Sequence, residues 1–257
     1  MNAFDRGRPD TMDLICPTLD GGSSLRVLVI IPAYNEEESL LAVVQSVIES
    51  GYDYVVVNDG SRDGTLKLCR DYGLNVIDLP RNLGIGGAVQ TGHLYAREHG
   101  YDIDIQFDGD GQHDASYIEA LIDKIADGAD LAIGSRYLEK SDGFQSTVMR
   151  RIGSRWLSLW TKLLCRWTVT DPTSGFRASG RRAICLFCEN YPVDYPEPES
   201  IVTALKCGLE VRDVPVVMHE RQGGTSSISP LSSIYFMIKV TLAMGISALS
   251  SGSRHRR

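Results

Sequence analysis

Residues 103 to 114 read "IDIQFDGDGQHD", four aspartates in twelve positions. The stretch opens as an apolar/acidic alternation and ends as a glycine-broken acidic loop. Asp108 and Asp110 flank Gly109. Side chains at i and i+2 leaving a strand point to one side, and a glycine lets the backbone approach a ligand closely. Two adjacent carboxylates repel unless a cation lies between them. Hard oxygen donors suit Mg²⁺ or Mn²⁺, which take only one or two protein carboxylates and fill their other positions with water and phosphate oxygens. An isolated D-x-D is usually a solvated acidic turn. Here the pair follows a buried strand and Gln112 adds another oxygen, which favours a metal.

The elements that must position this loop alternate in type. "RVLVIIP" is a β-branched run suited to a strand buried on both faces of a parallel sheet. Asn35 then reads as the N-cap of a helix through "EEESLLAVVQSVIES", with Glu38 as capping-box partner and apolar residues at 40, 41, 44, 47 and 48. "YVVV", "LNVIDLP", "YDIDIQF" and "ADLAIGSR" are further strands, separated by helices over "GTLKLCRDYG", "GIGGAVQTGHLYAREHG" and "ASYIEALIDKIADG". Such alternation predicts an α/β fold, a mostly parallel central sheet with helices on both faces. After Arg136 come a long basic and aromatic helix, "STVMRRIGSRWLSLWTKLLCRW", a turn-rich "TVTDPTSGFRAS" and a strand in "GLEVRDVPVVM". Ligands of open α/β sheets bind outside the carboxyl ends of the strands. All five early strand ends, "PAYNEEE", "NDGSRDGT", "PRNLGIGG", "DGDGQHD" and "GSR", are polar or glycine-rich, and that convergence outweighs any single motif.

The chain has 257 residues and a net charge of −7, room for one large domain and the wrong sign for a nucleic-acid binder. Residues 1–24 have no apolar core and read as a mobile polar tail, not a signal peptide. The catalytic unit is expected over 25–227 and an amphipathic helix with a basic tail over 228–257. No run of eighteen uncharged apolar residues exists; the nearest, in the C-terminal region, is interrupted by Lys239. Cys185 and Cys188 read as two reduced core thiols on one helix face.

"IIPAYNEEESL", "VVVNDGSRDGT", "NLGIGGAVQTG", "QFDGDGQHD", "GSRY" and "DPTSGFRA", in this order over roughly residues 26 to 226, resemble the inverting glycosyltransferases of family two with a GT-A fold. Within them the likeness is to the dolichyl- or polyprenyl-phosphate sugar transferases. The resemblance implies that Pro32, Tyr34 and Glu36 line the nucleoside pocket, with Asp59 on the base. It places Asp108, Gly109 and Asp110 at the ribose and diphosphate, with Asp110 and Gln112 as ligands of Mg²⁺ or Mn²⁺. It gives Arg136 a phosphate and sets Arg221 to close over a nucleotide-diphospho sugar, expected to be a uridine or thymidine derivative.

Breaking a sugar–diphosphate bond requires stabilising the leaving diphosphate, which a metal and arginines do electrostatically. A phosphate acceptor is already an anion; a hydroxyl acceptor needs a carboxylate base, for which Asp171 is the candidate, on level terms with a turn-forming role before Pro172. His113 and His219 are solvated loop residues or late metal ligands, and Glu197 or Glu199 opens a helix or touches the sugar. Trp156, Trp160 and Trp167 read as packing or interfacial anchors. Arg150 and Arg151 are candidates for the acceptor phosphate. The basic helix and the C-terminal segment are expected to meet a membrane surface, a small membrane partner protein or a second copy of the chain. That implies a peripheral protein at the cytoplasmic face of the cell membrane, serving cell-surface polysaccharide or glycoconjugate synthesis. Many family members carry membrane helices after the catalytic domain, whereas this sequence runs to "SGSRHRR". A nucleotidyltransferase or a silent binding subunit of a membrane polysaccharide complex is the alternative; a dinucleotide enzyme fails because Val89 stands where the third glycine of G-x-G-x-x-G belongs.

Overall fold

The computed structural model describes residues 25–138, 148–219 and 230–254. Seven strands form one sheet: β1 (Val27–Ala33), β2 (Asp53–Asn58), β3 (Val76–Asp78), β4 (Ile103–Gln106), β5 (Leu131–Ser135), β6 (Arg177–Gly180) and β7 (Val211–Pro215), in the order β3-β2-β1-β4-β6-β5-β7. β1 pairs in parallel with β2 and β4, β2 with β3, and β5 with β7. The helices are α1 (Leu40–Glu49), α2 (Thr65–Asp71), α3 (Gly84–Glu98), α4 (Ile118–Ala126), α5 (Val148–Cys165), α6 (Arg181–Glu189), α7 (Pro196–Lys206) and α8 (Pro230–Arg254).

Every residue of β1 is buried, because both faces of the sheet are covered. Val29 and Ile31 join one core with Val43, Val44 and Val47 of α1 and Leu121 of α4. Leu28 and Ile30 join another with Ala88 and Ala96 of α3 and Ile184 of α6. The strand period of two thus deals alternate residues to opposite layers, each fully buried side chain contributing about 1.5–3 kcal/mol. From β1 the chain winds outward to β2 and β3, then returns to β4 on the other side of β1. The order of strands reverses there, and the crevice between the ends of β1 and β4 is where an open sheet receives a ligand.

Three expectations are corrected. The "TSGFRAS" segment is not all turn: β6 inserts antiparallel between β4 and β5, with Ala178 opposite both Ile105 and Ala132. The first helix starts at Leu40, not directly after Asn35. Asn35 adopts φ 57°; its amide donates to Ser61 Oγ at 3.0 Å and its side-chain oxygen accepts from the Arg62 amide at 2.8 Å, stitching two strand-end loops together. Cys185 is disulfide-bonded, so the reduced-thiol reading holds only for Cys188, free and buried on α6.

A Cβ at Gly92 of α3 would lie 2.3 Å from Ile30 Cγ2 on β1. Gly92→Ala should therefore cost about 1–3 kcal/mol, lowering the melting temperature by roughly 2–4 °C per kcal/mol. Gly245→Ala on α8, where nothing lies within 4 Å, should be neutral or stabilising by about 0.5–1 kcal/mol. Calorimetric melting of both variants checks the contrast.

Candidate active site

The acidic loop leaves β4 beside the end of β1. The Phe107 amide donates to Ile30 O at 2.9 Å, and Gly109 passes so near Pro32 that a Cβ would sit 3.1 Å from its carbonyl oxygen. Ser39 fastens the two together: its hydroxyl donates to Gly109 O at 2.7 Å and lies 3.1 Å from Glu36 Oε2. Pro32, Glu36, Asp108, Gly109, Asp110 and Gln112 are thereby gathered at one end of the sheet, with Tyr34 exposed beside them. Ser39 carried no sequence signal beyond its polarity.

His113 is buried, not solvated. Its ring stacks on Phe176 at 4.9 Å and meets Phe107 edge-on. The Asp108 amide donates to Nδ1 at 3.0 Å, which leaves the ring proton on Nε2, facing Asp108 Oδ2 at 3.6 Å. Burial pushes the imidazole pKa down against the pull of Asp108 and Asp110, so the ring is neutral and shapes the loop. Asp110 Oδ1 accepts from the Gln112 amide at 3.1 Å. His219 follows β7 and closes the loop from the other side: its amide donates to Gln112 O at 2.9 Å, and its exposed ring lies 3.4 Å from Asp114.

Arg136, at the end of β5, is held by Asp171. Nε donates to Oδ2 at 2.6 Å and an η nitrogen to Oδ1 at 2.8 Å, with Thr173 Oγ1 a further acceptor at 3.0 Å. The Asp171 carboxylate is fully buried and also meets Thr173 Oγ1 at 3.0 Å and Ser154 Oγ of α5 at 3.5 Å. Burial opposes the guanidinium charge, yet the Asp171 bonds and charge raise its pKa, with help from Tyr137 and Asp108. The sequence offered Asp171 as base or turn-former; the structure makes it the partner that orients Arg136.

Asp59 is also committed. It is buried, and its two oxygens accept the amides of Leu83 and Gly84 at 2.6 and 2.9 Å at the entry to α3. Beside it, a hollow of about 420 Å³ at the ends of β2 and β3 is lined by residues including Asn58, Gly60, Arg62 and Asp78. Arg151 lies on α5 one turn before Ser154, whereas Arg221 and the side chain of Arg150 lie outside the described residues. Trp156 and Trp160 stack on one another and donate to Thr241 Oγ1 and Thr241 O of α8; Trp167 donates to Val211 O of β7. Glu199 accepts from Ser247 of α8 at 3.0 Å.

No group of three or more histidine, cysteine or acidic side chains suited to a metal occurs among the described residues. The oxygen donors of Asp110 and Gln112 fit a hard cation that completes its shell with phosphate and water. They do not suit a closed structural site.

Known proteins resemble this chain in sequence and in fold. The Glycosyl transferase family 2 profile matches residues 28–186. The chain is 31% identical over 227 residues to the polyprenol monophosphomannose synthase of Mycolicibacterium smegmatis, covering 84% of this chain and 85% of the relative. It is 32% identical over 211 residues to the UDP-N-acetylglucosamine–dolichyl-phosphate N-acetylglucosaminyltransferase of Methanococcus voltae, covering 74% and 84%. In fold it is similar to glucosyl-3-phosphoglycerate synthase of Mycobacterium tuberculosis, crystallised with Mn²⁺, UDP and glucosyl-3-phosphoglycerate. That match has TM-score 0.66 and 20% identity, and covers 87% of this chain and 80% of the other.

Removing one partner of a buried ion pair leaves the other charge uncompensated, at about 3–5 kcal/mol. Asp171→Asn should destabilise the fold by that order in urea unfolding. Asp71→Asn, which breaks the exposed Lys67–Asp71 pair, should leave the midpoint unchanged.

Proposed function

The chain belongs to glycosyl transferase family 2 and has the GT-A fold of a glycosyltransferase; from that premise we propose that it moves a sugar from a nucleotide-diphospho sugar to the phosphate of a polyprenyl-phosphate or similar lipid-linked acceptor. The observation that carries the choice of acceptor is the engagement of Asp171. A carboxylate sealed from solvent and bonded twice by Arg136 cannot easily collect a proton from an attacking hydroxyl, whereas a phosphate monoester arrives as an anion and gives up none. An acceptor oxygen attacks the anomeric carbon, the bond to the donor diphosphate breaks on the opposite face, and the configuration inverts. One C–O bond forms, one breaks, and no proton moves.

The named relatives act on polyprenyl- and dolichyl-phosphate, by their names, which supports the same acceptor class here. On this reading Pro32, Tyr34 and Glu36 border the nucleoside and Asp108 and Gly109 the ribose and diphosphate. Asp59 recognises the base indirectly, by fixing the 82–84 turn, and Arg221 closes over the donor. Asp110 and Gln112 would hold Mg²⁺ or Mn²⁺, which supplies Lewis-acid stabilisation of the leaving diphosphate. Arg136, already oriented, faces the same negative charge. Arg151 with Arg150 meets the acceptor phosphate from α5. Asp110→Asn should lower transfer by at least about 100-fold, with an unchanged melting curve in the absence of nucleotide. Full activity of that variant, or of the wild type in excess chelator, removes the metal from the mechanism.

The acceptor's lipid implies a membrane surface. No helix among the described residues is long and apolar enough to cross one. Instead α5 exposes Met149, Ile152, Trp156, Leu159 and Leu163, and α8 exposes Tyr235, Ile238, Leu242, Ile246 and Leu249. On both helices the spacing is three and four residues, a single stripe. Neither helix contains an acid, while α5 carries Arg150, Arg151, Arg155 and Lys162. Apolar stripes with only basic charge, on a chain of net charge −7, suit an anionic lipid interface. The intact protein should float with anionic vesicles, and Leu159→Ser with Leu242→Ser should abolish flotation without changing the melting curve. Wild type that stays unbound turns the surface into a protein contact, with a membrane protein or a second copy.

A further inference from the structure

The Arg136–Asp171 pair is braced from behind by groups that the transfer reaction leaves unused. The residue before each partner is bonded to the residue before the other: Ser135 Oγ and Thr170 Oγ1 lie 2.6 Å apart. Thr170 in turn meets Asp213, in the middle of β7, through both its amide and its hydroxyl, each 2.7 Å from Asp213 Oδ2. On the far side of Arg136 the Tyr137 amide donates to Ser135 Oγ at 3.2 Å. Ser135 is buried, and Thr170 and Asp213 are half-buried.

The donor count fixes the direction of each of these bonds. An amide only donates, so Asp213 Oδ2, which takes the Thr170 amide, is an unprotonated oxygen and also accepts the Thr170 hydroxyl proton. That hydroxyl has then spent its one proton, and its lone pairs accept from the Ser135 hydroxyl. Ser135 has spent its proton too and accepts from the Tyr137 amide. The result is one polarised line running from Tyr137 through Ser135 and Thr170 to Asp213, in which each bond strengthens the next. Asp213 Oδ1 is buried and has no hydrogen-bond partner among the described residues. Burial raises the carboxyl pKa, the two Thr170 bonds lower it, and the Asp171 charge raises it again. A proton on Asp213 belongs on Oδ1 and leaves the line intact.

We propose that Asp213, Thr170 and Ser135 are positioning residues for the reaction: as one hydrogen-bonded line they hold the backbones on which Arg136 and Asp171 stand, and so aim the Arg136 guanidinium. The inference rests on the proposed transfer, in which Arg136 faces the leaving diphosphate, and adds what keeps it there. The fork of bonds to Asp171 fixes the guanidinium relative to that carboxylate alone. Where the pair sits depends on a strand exit and a loop, and the line joins exactly those two. Asp213 lies opposite Ile133 of β5, and the same segment continues to His219, whose amide donates to Gln112 O in the acidic loop. One strand thus references both the arginine and the acidic loop. A misplacement of about 1 Å in such a site costs on the order of 100-fold in rate.

The test uses the full chain and two readouts, one of which needs no substrate. Thr170→Val keeps the amide bond to Asp213 and removes the hydroxyl link, Ser135→Ala removes the link nearer Arg136, and Thr170→Ser restores the line. In ¹⁵N-labelled protein, hydrogen exchange at Arg136 Nε–H should speed up by about tenfold in both cut variants, the equivalent of one buried hydrogen bond, and return to within about twofold of wild type in Thr170→Ser. Exchange at Arg181 Nε–H, bonded to Asp102 at 2.7 Å at the other end of the sheet, should not change. Transfer is then measured with Mn²⁺, a polyprenyl phosphate in detergent, and whichever of UDP-glucose, UDP-N-acetylglucosamine and GDP-mannose the wild type uses. The cut variants should lose about tenfold in kcat, with KM for the nucleotide sugar within about twofold. Asp213→Ala, which removes the acceptor at the end of the line, should do the same. Unchanged Arg136 exchange in Thr170→Val overturns the proposal. Equal acceleration at Arg136 and Arg181 overturns it too, because it marks a general loosening of the fold, and so does a raised KM with kcat intact. If Thr170→Val fails to fold, Ser135→Ala decides by the same readouts. Wild type that transfers no sugar defeats the glycosyltransferase reading, while exchange at Arg136 still decides whether the line holds the arginine.

Discussion

The polar region where β5, the entry to β6 and α5 meet depends on where Arg136 is held. Its guanidinium is mostly buried and would be costly there alone; the sealed Asp171 carboxylate makes it tenable with two parallel hydrogen bonds. The fork geometry of that contact fixes the arginine before a substrate arrives, which is the form of electrostatic stabilisation that needs little reorganisation during reaction. Asp171 in turn touches Ser154 of α5, so the helix carrying Arg151 and the exposed apolar stripe is referenced to the same pair.

The antiparallel insertion of β6 makes this arrangement available. A purely parallel sheet would bring only strand exits to the active edge. β6 runs the other way, so its entry, residues 171 to 177, arrives there instead and delivers Asp171, Ser174, Gly175 and Arg177 beside the exit of β4. Arg177 then stands opposite Gln106 in the ladder and reaches the first turn of α7. The mixed sheet thus places a rigid polar wall beside the acidic loop, on strands and not on loops alone.

The parallel half of the fold was legible because its rules are local. β-branched runs end in glycine and polar loops, and the alternation of strand and helix leaves few topologies. The D-x-D loop was legible for the same reason. β6 was not, because four residues with a buried arginine among them carry no strand pattern; only pairing with two neighbours makes "RASG" extended. Its one sequence signal was Arg177 itself, a charge between Phe176 and Ala178 with no helical face to occupy. Asn35 misled because N-cap chemistry and left-handed turn chemistry use the same residue, and the long-range contact with Ser61 and Arg62 decided between them. His113 misled because its polar neighbours are loop residues while the ring packs on Phe107 and Phe176, which flank β4 and β6. Arg221 falls outside the described residues and remains an expectation drawn from resemblance.

The charges around the crevice constrain the chemistry more tightly than any single residue. Asp59 is spent on two backbone amides and Asp171 on Arg136. His113 is neutral and its Nδ1 already accepts a hydrogen bond from the Asp108 amide. Burial makes Glu197 and Asp213 hold a proton more tightly than usual; Asp213 accepts from Thr170 beside Asp171, and Glu197 sits in the first turn of α7, its backbone carbonyl bonded by Arg177. Among the described residues, the side of the crevice towards α5 presents the Arg136–Asp171 pair, whose carboxylate is already engaged. That environment would depress the reactivity of a neutral alcohol, whose proton has nowhere to go, and it favours an acceptor that is already negative.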